Sequence, residues 1–135
     1  MKEAIRNIIP RILGLSKRLD LIESFVDKSW VYIDYDGKHH EYNFMRDNRL
    51  IMTINGTALI GSWELLPNGK LLIDRISDKI VLKNQFIDDA VMILQRSSSE
   101  NDPFLLVDQD KVPDLDVIKH LQIIEEKKNI RRETA

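Results

Sequence analysis

The feature that most constrains this chain is a series of short alternating segments between residues 29 and 108, separated by turn residues. Apolar and polar side chains alternate within them, which is the pattern of half-buried β-strands. The segments are WVYIDY (30–35), HEYNFM (40–45), RLIMTI (49–54), TALIGSWELL (57–66), KLLIDRI (70–76), KIVLKN (79–84), DAVMILQR (89–96) and FLLVD (104–108). The sequence therefore predicts about eight strands.

The joints between these segments determine their topology. Four joints contain pairs typical of tight hairpin turns: Asp36-Gly37, Asp47-Asn48, Asn55-Gly56 and Asn68-Gly69. Connections this short leave no room for crossover helices, so successive strands are predicted to be antiparallel neighbours. We predict a mainly β (α+β) fold, an up-and-down meander that forms a small barrel or rolled sheet. SSSENDP (97–103) is predicted to be a long polar loop.

Helical periodicity precedes the strands. From Glu3 to Val26, apolar residues recur at steps of three and four, which predicts an amphipathic helix within residues 1–28. Pro10 has no amide hydrogen, so we expect a kink there or a helix that starts near residues 7–10.

A second helix is predicted after the strands. Asp114 follows Pro113 and is the expected N-cap of a closing helix, with Leu121 on its apolar face. Residues 29–125 are then one barrel domain with its closing helix, and residues 126–135 a charged tail.

Charge is unevenly distributed along the chain. The net charge is −2, yet residues 1–19 hold five basic and one acidic side chain and residues 117–135 hold five and three, so the remainder carries −8. An acidic strand region repels phosphate, so we predict no nucleic-acid binding. The basic ends suit an acidic partner, a membrane surface or the chain's own acidic middle. We favour the last of these.

The N-terminal sequence and the lack of cysteine bear on the cellular location. Arg6, Arg11, Lys17 and Arg18 interrupt every apolar run near the N-terminus, which fits neither a signal peptide nor a membrane span. With no cysteine there is no disulfide framework. We expect a cytoplasmic protein.

Polar clusters give no chemical signature. The imidazoles of His39 and His40 are predicted to point to opposite faces of a strand, which disfavours a shared metal ion. DQDKVPDLD (108–116) lacks the glycine and the final glutamate of a calcium loop. Asp88 and Asp89 point apart on a strand. We therefore predict no metal, no cofactor and no enzymatic activity.

A resemblance follows from the order of elements and from Gly61-Ser62-Trp63. A helix, about eight hairpin-linked strands with a Gly-x-Trp and a closing helix resemble the lipocalin-like (calycin-type) small β-barrels over roughly residues 28–125. Such barrels hold small hydrophobic ligands. The resemblance implies a cavity lined by Trp30, Tyr42, Phe44, Met52 and Trp63.

Two observations qualify what this outline implies. Strands of about six residues span about 20 Å, and a barrel of that height tends to be filled by its own side chains. The strands and closing helix also resemble a pleckstrin-homology-type fold. Its lipid-binding form needs basic residues around the first hairpin, where DYDGKHHEY (34–42) is acidic.

Our leading functional hypothesis is a non-catalytic protein-interaction or accessory module. The N-terminal stripe would dock in a partner's groove or form a homo-oligomer, through Ile5, Ile8, Ile12, Leu15, Arg11 and Arg18. One alternative is a lipocalin-like carrier of a small hydrophobic ligand. Another is peripheral membrane attachment through the basic helix.

Overall fold

The computed structural model describes residues 2–16, 22–34, 36–97 and 99–134. Within these ranges, eight antiparallel strands follow one another in chain order around a closed barrel. They are β1 (Ser29–Ile33), β2 (His39–Phe44), β3 (Arg49–Ile54), β4 (Thr57–Leu66), β5 (Lys70–Asp74), β6 (Lys79–Ile87), β7 (Val91–Arg96) and β8 (Ser99–Val107). The helices are α1 (Lys2–Ile12) and α2 (Val117–Thr134). The predicted fold class is confirmed.

Turn chemistry explains the meander. Asn55 and Gly56 join β3 to β4 with φ angles of 50° and 78°, the left-handed conformation that a two-residue hairpin requires. β3 and β4 have the predicted bounds because this turn sets their register. Closure is completed by β1 and β8, which are joined by only two residue pairs, Val31 with Val107 and Tyr32 with Leu106.

The barrel interior is filled by its own side chains, most of them aromatic or branched aliphatic. One end is closed by the turn after a short 3-10 helix at Ile22–Ser24. Phe25 from this turn contacts Phe44 and Trp63 edge to face, with ring centroids 5.4 Å away in each case. Its carbonyl accepts a hydrogen bond of 3.0 Å from the indole of Trp30. We call Phe25 the plug.

A second core lies outside the barrel, where α1 and α2 cover β6, β7 and β8. Val91 and Ile93 of β7 point outward to the helices, whereas Met92 and Leu94 point into the barrel. β7 is buried on both faces for this reason.

One hydrogen-bonded carboxylate ties α2 to the barrel. Asp88, in the turn before β7, accepts a hydrogen bond from His120 of α2, with Oδ2 and Nε2 2.8 Å apart. Its other oxygen accepts the N–H groups of Ala90 and Val91 at 2.8 Å each. Burial alone would raise the pKa of Asp88, but these hydrogen bonds outweigh it and the pKa is lowered.

The helical prediction for the N-terminal segment was too long. α1 begins at Lys2, runs through Pro10 and ends at Ile12, followed by a 3-10 turn at Leu13–Leu15. The chain leaves the helix because Ser16, in extended conformation, accepts a hydrogen bond of 2.9 Å from the N–H of Ile87 in β6. Residues 17–21 of the predicted stripe lie outside the described residues.

Two further boundaries differ from prediction. Residues 99–103 belong to β8 because pairing with β7 overrides their polar composition. Asp116, not Asp114, caps α2, and its Oδ1 accepts the N–H of Lys119 at 3.1 Å. α2 then continues to Thr134, so most of the expected charged tail is helical.

Candidate functional site

The end of the barrel opposite the plug holds a cavity of about 310 Å³, bordered by the β1–β2, β3–β4 and β5–β6 turns. We call it the mouth cavity. Its lining consists of Tyr32, Asp34, His40, Tyr42, Met52, Ile54, Leu59, Arg75 and Ser77.

Apolar side chains form the floor and part of the wall of the mouth cavity. Tyr32, Tyr42 and Met52 belong both to the lining and to the packed interior, so they separate the cavity from the core beneath. Tyr32 stacks on Phe104 with a centroid distance of 4.5 Å and an interplanar angle of 11°. Leu59 lies in the wall and is 51% exposed. The cavity therefore offers apolar surface to a ligand.

One polar group of the mouth cavity is the Asp34–His40 pair, which the β1–β2 turn holds. Asp34 Oδ1 accepts the N–H groups of Asp36 and Lys38 at 2.9 Å each, and its Oδ2 lies 2.9 Å from His40 Nε2. The hydrogen bond from His40, followed by that from Lys38, lowers the pKa of Asp34. An ionised carboxylate only accepts, so Nε2 of His40 carries the hydrogen.

The second polar group is Arg75, which follows β5 and forms a two-pronged ion pair with Asp78. Its Nε donates to one Asp78 oxygen at 2.7 Å and its Nη2 to the other at 2.5 Å. This hydrogen bonding lowers the pKa of Asp78. The Tyr42 hydroxyl lines the same cavity. Burial raises the pKa of Tyr42, although the positive charge of Arg75 acts to lower it, so the hydroxyl keeps its hydrogen.

The turn that carries Arg75 has an unusual backbone. Ile76 has a φ of 76°, which is sterically costly for a β-branched residue. The turn is held by the N–H of Ile76, which donates to Asp74 Oδ1 at 3.0 Å, and by the N–H of Arg75, which donates to the Asp78 carbonyl at 2.9 Å. Ile76 is 65% exposed and adds an apolar side chain near the mouth cavity.

The structure divides the five residues predicted to bind a ligand. Tyr42 and Met52 line the mouth cavity. Trp30, Phe44 and Trp63 lie in the packed interior near the plug, where the Trp63 indole donates to the Met45 carbonyl at 2.8 Å.

Sequence reasoning missed Arg75 and His40 as parts of a site, although alternation contained the signal. Leu71 and Ile73 face the interior, and Arg75 continues the same period of two. His40 precedes inward-facing Tyr42 in the same way. A charged or titratable residue at the end of an inward-facing series is the pattern to look for.

The residues predicted to bind a partner are mostly covered by the chain itself. Ile5, Ile8 and Ile12 are buried in the outer core, whereas Leu15 is 44% exposed. Arg11 forms an ion pair with Glu125 of α2 at 3.1 Å. Arg18 lies outside the described residues.

A second depression, of about 500 Å³, lies on the barrel's outer surface along β4 and β5. Its lining includes Ser62, Glu64, Leu72 and Asp74. Lys79 Nζ and Asp74 Oδ2 are 3.9 Å apart across it. This groove is larger than the mouth cavity. Its lining also includes Trp63, one of the five residues predicted to bind a ligand, whereas the mouth cavity is lined by both Tyr32 and Tyr42.

The described residues contain neither a metal-binding cluster nor a helix able to span a membrane. Among the described residues, no three histidine, aspartate or glutamate side chains are grouped closely enough to hold a metal ion. His39 is exposed, while His40 is engaged with Asp34. In the part of the chain that the structure describes, neither helix has an apolar stretch long enough to cross a bilayer.

Comparison of the chain with protein-family models, with curated proteins and with solved structures found no match. The closed barrel agrees with the lipocalin-like outline only at the level of eight antiparallel strands. Function is therefore argued from the residues of the site.

Proposed function

We propose that the protein is a non-catalytic carrier that binds a small amphipathic molecule in the mouth cavity. The observation that carries this proposal is the lining: apolar residues Tyr32, Met52 and Leu59 share one cavity with Arg75 and His40. Small-molecule sites typically combine apolar walls with a few polar groups that orient the ligand.

The dimensions of the mouth cavity limit the ligand. A volume of about 310 Å³ lies at the low end of the range for ligand pockets. Below Tyr42 the interior is packed, so a ligand occupies only the open end. A compact molecule of one or two rings, or a short chain, fits this space better than a long lipid.

The N-terminal stripe supports a docking or membrane role less well. Ile5, Ile8 and Ile12 would have to leave α2 and β7 before they could enter a partner's groove or a bilayer. Such a separation would expose the outer core to water, at a cost of about 2 kcal/mol for each large apolar side chain. Ligand binding at the mouth requires no such separation.

A matched pair of substitutions on β4 tests the proposal. Leu59 lines the mouth cavity and Ile60, the next residue, is 56% exposed and lies outside the lining. Leu59→Trp should fill the cavity, whereas Ile60→Trp should not, because only Leu59 belongs to the lining. Both side chains are about half exposed, so neither substitution should have much effect on folding. The probe is the uncharged dye N-phenyl-naphthylamine, which fluoresces on leaving water.

We expect saturable dye binding to the wild type and to Ile60→Trp, and a Kd raised by about tenfold or more in Leu59→Trp, the factor that corresponds to losing about 1.4 kcal/mol. The dye is excited through its naphthyl group, so the added tryptophans do not contribute to the measured fluorescence. Equal affinity in all three proteins, or no saturable binding to the wild type, would contradict the proposal.

A further inference from the structure

We infer that the mouth cavity receives the anionic end of its ligand at Arg75, so that its preferred ligands are small amphipathic acids. The inference rests on the proposed function and specifies the chemistry of that same site. It depends on which polar groups of the lining are still able to bind a ligand.

Asp34, the acidic residue in the lining, is already used within the protein. One oxygen accepts two backbone N–H groups of the β1–β2 turn and the other is bonded to His40. A carboxylate has about four acceptor positions, and these groups occupy three of them in Asp34. Asp34 therefore serves to hold the turn and His40.

Arg75, in contrast, has guanidinium N–H groups that are able to bind a ligand. A guanidinium has five N–H groups in a planar fork, and two of them are directed to Asp78. The others are not directed to Asp78, and Tyr42, whose hydroxyl keeps its hydrogen, lines the same cavity. Arg75 and Tyr42 thus both present donors to one cavity, and such donors bind a carboxylate, sulfonate or phosphate oxygen.

The local charge favours an anion over a neutral acceptor. Arg96 and Arg75 both lie near the Phe104 ring, with guanidinium carbons 5.7 Å and 6.0 Å from its centroid. Arg96 also acts electrostatically on Asp78. Two cations therefore act on the Asp78 carboxylate, while the other carboxylate of the lining, Asp34, lies in the β1–β2 turn and is bonded to His40. A ligand anion would be attracted to the Arg75 side of this half-buried site, where charges are weakly screened.

The test uses two dyes with the same skeleton, neutral N-phenyl-naphthylamine and anionic anilinonaphthalene sulfonate. The measured quantity is the ratio of their dissociation constants in each protein, neutral dye over sulfonate, which cancels the shared apolar contribution. Arg75→Met removes the charge and keeps an apolar stem. Asp78→Asn leaves Arg75 charged and removes its internal competitor.

A similar ion pair elsewhere provides the control. Arg49 Nε donates to Asp47 at 2.7 Å in the β2–β3 turn, at the plugged end of the barrel. Arg49→Met and Asp47→Asn change the same charges without touching the mouth cavity.

We expect the ratio to fall about tenfold in Arg75→Met, the usual size of one charge-assisted hydrogen bond, to rise severalfold in Asp78→Asn and to stay constant in both controls. The opposite sign in Asp78→Asn keeps the test valid if Arg75→Met folds poorly. If both dyes bind with one ratio in all five proteins, the inference is overturned and the carrier proposal stands. If neither dye binds saturably to the wild type, both are overturned.

Discussion

Gly61 is the position where a single added methyl group should disturb the barrel most. A Cβ atom at this residue would stand 2.1 Å from the carbonyl oxygen of Asp74 and 3.1 Å from the end of the Met52 side chain. A carbon and an oxygen in contact are normally about 3.3 Å apart or more. The Met52 side chain can move aside, but the Asp74 oxygen belongs to the backbone of β5. Gly61→Ala must therefore push β4 and β5 apart by about 1 Å.

The cost follows from two effects. Overpacking a closed interior costs about 1–3 kcal/mol. Weakening a backbone hydrogen bond near Asp74, which pairs with Ser62, costs about 1 kcal/mol more. We expect Gly61→Ala to lose about 2–4 kcal/mol of unfolding free energy, a large part of the 5–15 kcal/mol typical of a domain. The melting temperature should fall by about 10 °C.

Urea denaturation followed by tryptophan fluorescence measures this loss as a lower midpoint at unchanged slope. Gly14→Ala is the control, because no atom lies within 4 Å of its added Cβ. It should change stability by less than about 1 kcal/mol, and in the stabilising direction. A loss below about 0.5 kcal/mol in Gly61→Ala would refute the close approach of β4 and β5.

Other predictions concern the links between the helices and the barrel. The pKa of Asp88 is lowered from its ordinary value of 3.8. Its hydrogen bonds to His120 and to two N–H groups therefore contribute fully to stability at pH values above 3.8, and this contribution is lost as the pH falls through the pKa of the folded state. Asp88→Asn should cost about 2 kcal/mol of unfolding free energy at pH 7, and the loss of stability between about pH 7 and 3 should be smaller than in the wild type. If the urea midpoints of the variant and the wild type depend on pH in the same way, Asp88 does not have this role. Ser16→Ala should leave the buried N–H of Ile87 unsatisfied and cost about 1–3 kcal/mol in the same assay, whereas the exposed control Ser62→Ala should be neutral within about 0.5 kcal/mol.

The number and order of the strands were predictable because their causes are local. Alternation in β3 and β4 and the Asn55-Gly56 turn lie within a few residues of one another, so they specify a hairpin without reference to the rest of the chain. A glycine inside a strand marks either a close neighbour or a bulge, and only the structure shows that at Gly61 the neighbour is the backbone of β5.

The site could be predicted only in part. Tyr42 and Met52 are among the cavity residues that the lipocalin-like resemblance implies, and both line the mouth cavity. The assignment of Trp30 and Trp63 to the packed half depends on the plug residue Phe25, which closes one end through contacts that alternation does not encode. Arg75 was overlooked because its importance arises from Asp78, Tyr42 and Phe104, which three different segments contribute.

What the sequence by itself determined about this protein is therefore its antiparallel meander and the inward or outward face of most strand residues, since both follow from periods of two and from turn chemistry. Tertiary structure alone decided which end of the barrel is open and that α1 packs on α2 and β7. It also decided that residues 99–103 form a strand. These outcomes depend on pairings between residues distant in sequence, such as the hydrogen bond of Ser16 with Ile87, whose energies exist only once the barrel has closed.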